Sequence, residues 1–172
     1  MRCLLYVLGT SHPLQCGSDK CSGTQIAAFQ GELRRIFEAH DIRCIAEEMD
    51  AEGLRRHNVD STIAQPLALS LGIQHHNIDL TDEERNRVSL GRSAFGEMLF
   101  GRGRSNDGGA KFQSGFDRIL NEVRERCWVA RILVRHQWPT LLICGAEHSQ
   151  NVAKLWRRFG LKACVLHSDY EP

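Results

Sequence analysis

The chain lacks excess charge, and that absence closes off a class of partners. Its 22 Lys and Arg stand against 21 Asp and Glu, leaving a formal net charge of +1. No global field therefore draws it to nucleic acid or to acidic membranes. It also lacks any apolar run longer than a short strand, so nothing is expected to span a bilayer. The first residues, Met1 to Leu8, read as a strand without the long apolar region and small-residue cleavage site of a signal peptide. The expected location is the cytoplasm, with neither nucleic acid nor membrane as a partner. No repeat period appears, and no Gly-x-Ser-x-Gly elbow surrounds Ser11 or Ser149, so a serine nucleophile is not expected. The run GRGR at 101–104 has no strand before it and no Lys-Ser/Thr after it, which argues against a phosphate loop.

What is present fits one domain with a real core, since 172 residues are enough to bury one. The seven cysteines are an odd number. Cys3, Cys44, Cys144 and Cys164 fall inside apolar strand patterns and read as small buried hydrophobes in a reducing compartment. Short apolar runs alternate with helical patterns. Strands are expected over 2–8, 42–46, 73–80 (the weakest), 140–144 and 162–167. Helices are expected over 24–40, over 62–71 with Asp60 or Ser61 as cap and Gly72 as stop, over 111–138 and over 150–159. The long helix carries Phe116, Ile119, Leu120, Val123 and Cys127 at helical spacing. Their number exceeds what one sheet face covers and is compatible with a homodimer. The segment 101–110, GRGRSNDGGA, is too Gly-rich and polar to pack and reads as a flexible surface loop. Strands apolar on both faces and separated by helices predict an α/β domain over 1–172. It has three layers, with a mostly parallel sheet of four to five strands flanked by helices.

In such a sheet, ligands lie beyond the carboxyl ends of the strands. Two stretches present a histidine there: LGTSH ends with His12, and CGAEH ends with His148. In both, an apolar run stops at a glycine, expected to let the backbone turn tightly or take positive φ. A third exit, AEEMD, adds Glu47, Glu48 and Asp50. Two imidazoles and a carboxylate are a ligand set for a divalent metal, and equally a metal-free acid/base pair. Other candidates carry less. Cys16 and Cys21 near His12 are spaced too widely for a zinc knuckle and read as exposed loop thiols. His75 and His76 point to opposite faces of a strand, so one at most can join a site. Asp79 and Asp82 follow that strand, and Thr81 can cap a helix over DEER. Trp128, Trp138 and Trp156 lie on helix patterns and read as core.

These residues together resemble the TIKI/TraB superfamily, which takes in erythromycin-esterase-like and ChaN-like haem-binding proteins. LGTSH and CGAEHSQNVAKLW resemble its two Gly-x-x-His motifs, and EEMD its glutamate motif, which selects Glu48 over Glu47. ERCWVARI resembles the stretch that carries its arginine, here Arg126, although Cys127 stands where an acidic residue is usual. The resemblance implies a shared pocket and hydrolytic chemistry on a small-molecule or peptide substrate, metal-dependent or through a His/Glu pair. His12, Glu48 and His148 would be catalytic, or would hold a divalent metal, and Arg126 would support Glu48 or a developing oxyanion. The alternative is a non-catalytic ligand-binding or protein-interaction module that retains the same pocket.

Overall fold

The computed structural model describes residues 4–87 and 107–172. In chain order its elements are β1 (Leu5–Thr10), α1 (His12–Cys16), α2 (Gly23–His40), β2 (Cys44–Glu47), α3 (Ala51–Arg56), α4 (Ala64–Ser70), β3 (Gln74–Asn77), α5 (Asp107–Arg135), β4 (Thr140–Gly145), α6 (Ala146–Arg158) and β5 (Ala163–Tyr170). The strands form one parallel sheet in the order β3-β2-β4-β1-β5. The three-layer α/β architecture is as the sequence predicts. Among the described residues, no helix is long and apolar enough to cross a membrane.

Alternation along the strands divides the core. Leu8, Ile45, Leu141 and Ile143 face one side, where they pack on Phe29, Leu33, Ile36 and Phe37 of α2 and on Ala64, Leu67 and Ala68 of α4. Leu5, Val7, Ala46, Leu142 and Cys144 face the other, against Trp128, Val129 and Ile132 of α5 and Val152, Ala153 and Trp156 of α6. Both faces are dry, which is why β1 and β4 read as continuous apolar runs. The amphipathic spacing 29, 33, 36, 37 holds α2 on the sheet, and a capping box between Ser22 and Gln25 starts it.

The helix after β1 covers one face and the helix after β4 the other, although β1 and β4 are neighbours. Such a divergence opens a crevice at the carboxyl ends of adjacent strands. The exits of β1, β4 and β2 therefore lie side by side.

Several local expectations are corrected. Residues 12–16 are helical, with Pro13 in the first turn and Ser11 as N-cap, and this buries Cys16 instead of exposing it. Cys164 is exposed, not buried. Helix α4 has no side-chain bond at its cap position, Ile63, because the hydroxyl that accepts from the Gln65 N–H belongs to Thr62 rather than Asp60 or Ser61. Helix α5 begins at Asp107, so residues 107–110 are helical and not loop; the rest of that expected loop, 101–106, and the expected strand start at Arg2 and Cys3 lie outside the described residues. The inward face of α5 is rotated from the expected one. Glu125, Trp128, Val129 and Ile132 are buried, while Ile119 is 54% exposed. Trp128 and Trp156 are the large fully buried side chains on this face and set that rotation.

The glycines ending β1 and β4 do not take positive φ. A Cβ at Gly9 would lie 2.2 Å from the Ser168 carbonyl oxygen on neighbouring β5, so Gly9 is a close-approach residue. Gly9→Ala is expected to destabilise the fold by about 1–3 kcal/mol through overpacking against backbone, read as a lower urea midpoint with an unchanged slope. A midpoint equal to wild type would contradict this account.

Candidate functional site

Glu48 follows β2, and its backbone N–H donates to the Ile143 carbonyl of β4 at 2.9 Å. That bond carries the β2–β4 ladder one residue past Glu47 and turns the Glu48 side chain into the crevice. Its Oε2 accepts from the Gly145 N–H at 2.6 Å, and its Oε1 from Arg124 at 2.5 Å. The same Oε1 lies 3.7 Å from His12 Nε2 and 3.6 Å from His148 Nε2. His12, Glu48 and His148 thus converge from three adjacent strand exits. A Cβ at Gly145 would sit 3.3 Å from Glu48 Oε2, 3.5 Å from His148 Cδ2 and 3.8 Å from His12 Nε2. The second glycine accordingly leaves room for the three side chains to meet.

The two histidines differ in surroundings. The His12 side chain is 43% exposed at the mouth, in a cleft of about 300 Å³ that Glu48, Asp50, Arg56, His57, Asp79, Arg85 and Arg124 also line. His148 lies beneath, buried. Its Nδ1 pairs with Glu125 at 2.8 Å, and its Nε2 has no hydrogen-bond partner. The Glu125 carboxylate keeps a proton on Nδ1, and Nε2 faces Glu147 at 3.4 Å and Glu48 at 3.6 Å. Burial disfavours the His148 imidazolium, but the Glu125 hydrogen bond and the Glu48 charge outweigh it and raise the pKa above its ordinary value. Glu125, His148, Glu48 and His12 form an alternating line of carboxylates and imidazoles, from the interior to the mouth.

Arg124 holds this line in place. It also donates to Asp79 at 2.8 and 3.1 Å and stacks over Trp128, 5.1 Å from the ring centroid. The Trp128 indole N–H donates to Asp79 at 3.0 Å, and the ring meets His148 edge-on at 5.0 Å. Burial pushes Asp79 up, yet the Arg124 hydrogen bonds and charge, joined by Arg85 and the Leu80 N–H, hold it below the usual carboxylate range. Arg126, the arginine selected by the resemblance, is exposed and lines a groove between α5 and α6 that Glu125 and His148 also border, with no contact to Glu48. Arg124 occupies the place expected for it, because two residues along a helix turn through slightly more than a half-turn and reverse the facing.

Glu47 points to the opposite sheet face, where Thr62 donates to it and His75 pairs with it at 2.6 Å. Adjacent Glu47 and Glu48 therefore serve different faces. Asp50 caps α3 through the Gly53 N–H and pairs with Arg85. Thr81 caps the helix over DEER as expected, and Glu84 completes a capping box with it. The Cys16 thiol is pushed up to about 11 by burial and by the Glu47 charge, which makes it a poor zinc ligand at neutral pH. Sequence reading missed Arg124 and Glu125. The available signal was their spacing from Trp128 (four and three residues), which places all three on one side of α5.

The donor set does not suit a divalent metal well. Both Glu48 oxygens already accept hydrogen bonds, one from a guanidinium whose charge would oppose a cation. Among the described residues, no group of three His, Cys, Asp or Glu has metal-holding geometry.

Arg124→Met is expected to cost about 3–5 kcal/mol in urea unfolding, because it strands Glu48 and Asp79 as buried, unpaired charges; a cost below 1 kcal/mol (roughly the value of a surface pair) would refute the role given to Arg124. The folded pKa of His148 lies above the ordinary 6.5. Its stabilisation is complete below that value and disappears as pH rises through the folded pKa. Glu125→Gln should lower that pKa, followed by NMR of the imidazole Cε1 proton, and should flatten the loss of stability above pH 6.5. Comparison of the chain with family models, with curated proteins and with solved structures finds no match in any of the three.

Proposed function

We propose that the chain is a hydrolase whose site is His12, Glu48 and His148, working by metal-free general acid/base catalysis. The observation that carries this reading is one buried carboxylate, Glu48, flanked by two imidazoles at 3.6 and 3.7 Å and held through both oxygens. These separations exceed a hydrogen bond, and such contacts commonly tighten when substrate closes the site. His12, at the open end, takes a proton from water as the water attacks an ester-type carbonyl. Glu48 stabilises the imidazolium that forms, and His12 then protonates the leaving group. His148, oriented by Glu125, fixes the inner side of Glu48, and Arg124 anchors the carboxylate from α5. The resemblance of both Gly-x-x-His stretches and EEMD to the TIKI/TraB superfamily fits a shared pocket, and the hydrogen bonds that already occupy both Glu48 oxygens favour the His/Glu esterase-like side of that group.

A second reading has its own support. The Arg124, Glu48 and Asp79 cluster satisfies most of its own charges, as a binding or interaction module that keeps the pocket without turnover would. A screen of ester, peptide and phosphate-ester substrates separates the two. The hydrolase reading expects His12→Ala and Glu48→Gln each to lower kcat/KM by about 10² to 10⁴, with circular dichroism unchanged and with no loss of activity on chelation. Equal rates for wild type and the His12→Ala, His148→Ala double variant would leave the binding module. Activity that chelation abolishes and zinc restores would overturn the metal-free mechanism.

A further inference from the structure

Beside the catalytic cleft lies a second one of about 460 Å³, lined by Ser18, Asp19, Lys20, Arg56, His57 and neighbouring backbone. Arg56 and His57 line both clefts, so the two spaces meet at the end of α3. The lining is basic: Lys20, Arg56 and His57 face the single carboxylate of Asp19, which is exposed. Among the described residues, Arg56 has one ion pair, a long 3.6 Å contact with Glu52, and Glu52 is already held by Arg55 at 2.6 Å. The Ser18 hydroxyl is a second, independent sign of a ligand. Ser18 is 5% exposed, and its Oγ is buried with no hydrogen-bond partner. A buried hydroxyl without a partner carries an unmet desolvation cost that a ligand oxygen can remove.

Resting on the hydrolase reading above, we infer that Ser18, Lys20, Arg56 and His57 form an oxyanion subsite that binds a phosphomonoester group of the substrate, with the scissile bond reaching past His57 to His12. Lys20 and Arg56 supply charge-assisted hydrogen bonds, Ser18 a neutral donor, and His57 a proton donor when charged. The electrostatics agree. Burial lowers the His57 pKa first, and the positive charges of Lys20 and Arg56, with His12 whenever it is protonated, lower it further. That local excess of positive potential is what a bound phosphate would neutralise.

The test titrates the full chain with inorganic phosphate at constant ionic strength, with chloride as the control, and follows the His57 Cε1 proton by NMR. Saturable binding that raises the His57 pKa is expected. Arg56→Gln should weaken it about tenfold, as loss of a charged hydrogen bond implies, and Ser18→Ala by a smaller factor. Glu48→Gln should leave it intact, because Glu48 lies outside the subsite. A linear, unsaturating response, or saturable binding undiminished in both Arg56→Gln and Ser18→Ala, would overturn the subsite. A second arm compares methyl phosphate with inorganic phosphate. Equal or tighter methyl phosphate binding supports a substrate phosphomonoester, whereas exclusive binding of the free ion overturns that assignment. A third arm compares a neutral ester with the same ester carrying a phosphomonoester, and Arg56→Gln should lower kcat/KM about tenfold more for the charged one. If wild type hydrolyses neither ester, the hydrolase reading fails and the phosphate titration alone decides the subsite.

Discussion

A single guanidinium settles how this fold can carry its rim. Arg124 reaches from α5 across the sheet edge to Glu48 and Asp79, two carboxylates that the surrounding core keeps almost wholly from water. Neither could remain charged there alone, because removing an ion from water costs far more than one neutral hydrogen bond returns. Trp128 completes the arrangement by covering the guanidinium and binding Asp79. The rotation of α5 follows from this contact as much as from its apolar face. A helix turned to bury Ile119 and Val123 would have carried Arg124 away from both acids.

Around that anchor, the order of the sheet does the rest. Glu48 leaves β2, His148 leaves β4 and His12 leaves β1, three strands that are neighbours in space though far apart in sequence. The chain after β1 and the chain after β4 pass to opposite faces, which opens the cleft where the imidazoles meet the carboxylate. The two glycines do unlike work there. Gly9 permits the close approach of β5, and Gly145 clears space among the site residues while giving its N–H to Glu48. The chemistry proposed above uses a line of alternating acids and bases with one solvent-facing end, an architecture that needs burial along its length and exposure only at His12.

Much of the fold was legible in the residues. Continuous apolar runs separated by amphipathic helices specify a parallel sheet covered on both faces, and the structure has that sheet. His12 and His148 were legible too, because the carboxyl-rim rule applies to any strand exit once the sheet is known to be parallel; that rule left Glu47, Glu48 and Asp50 open, and only the family resemblance singled out Glu48. The arginine was not. Arg124 and Arg126 lie on opposite sides of one arginine-rich helix, and choosing between them needs the rotation of α5, which is fixed by packing of Trp128 against α6 and the sheet. The short helix over 12–16 was likewise hidden, since its proline and cysteine gave the appearance of a loop.

The sequence by itself determined the secondary-structure period, the covered sheet and the placing of polar side chains at strand ends, because these depend on local alternation and local backbone preference. The tertiary structure decided which strand exits are neighbours, which arginine meets Glu48, and that Glu125 stands behind His148. Those outcomes depend on strand order and helix rotation, and both are set by contacts between residues as much as 160 positions apart, which no local pattern encodes.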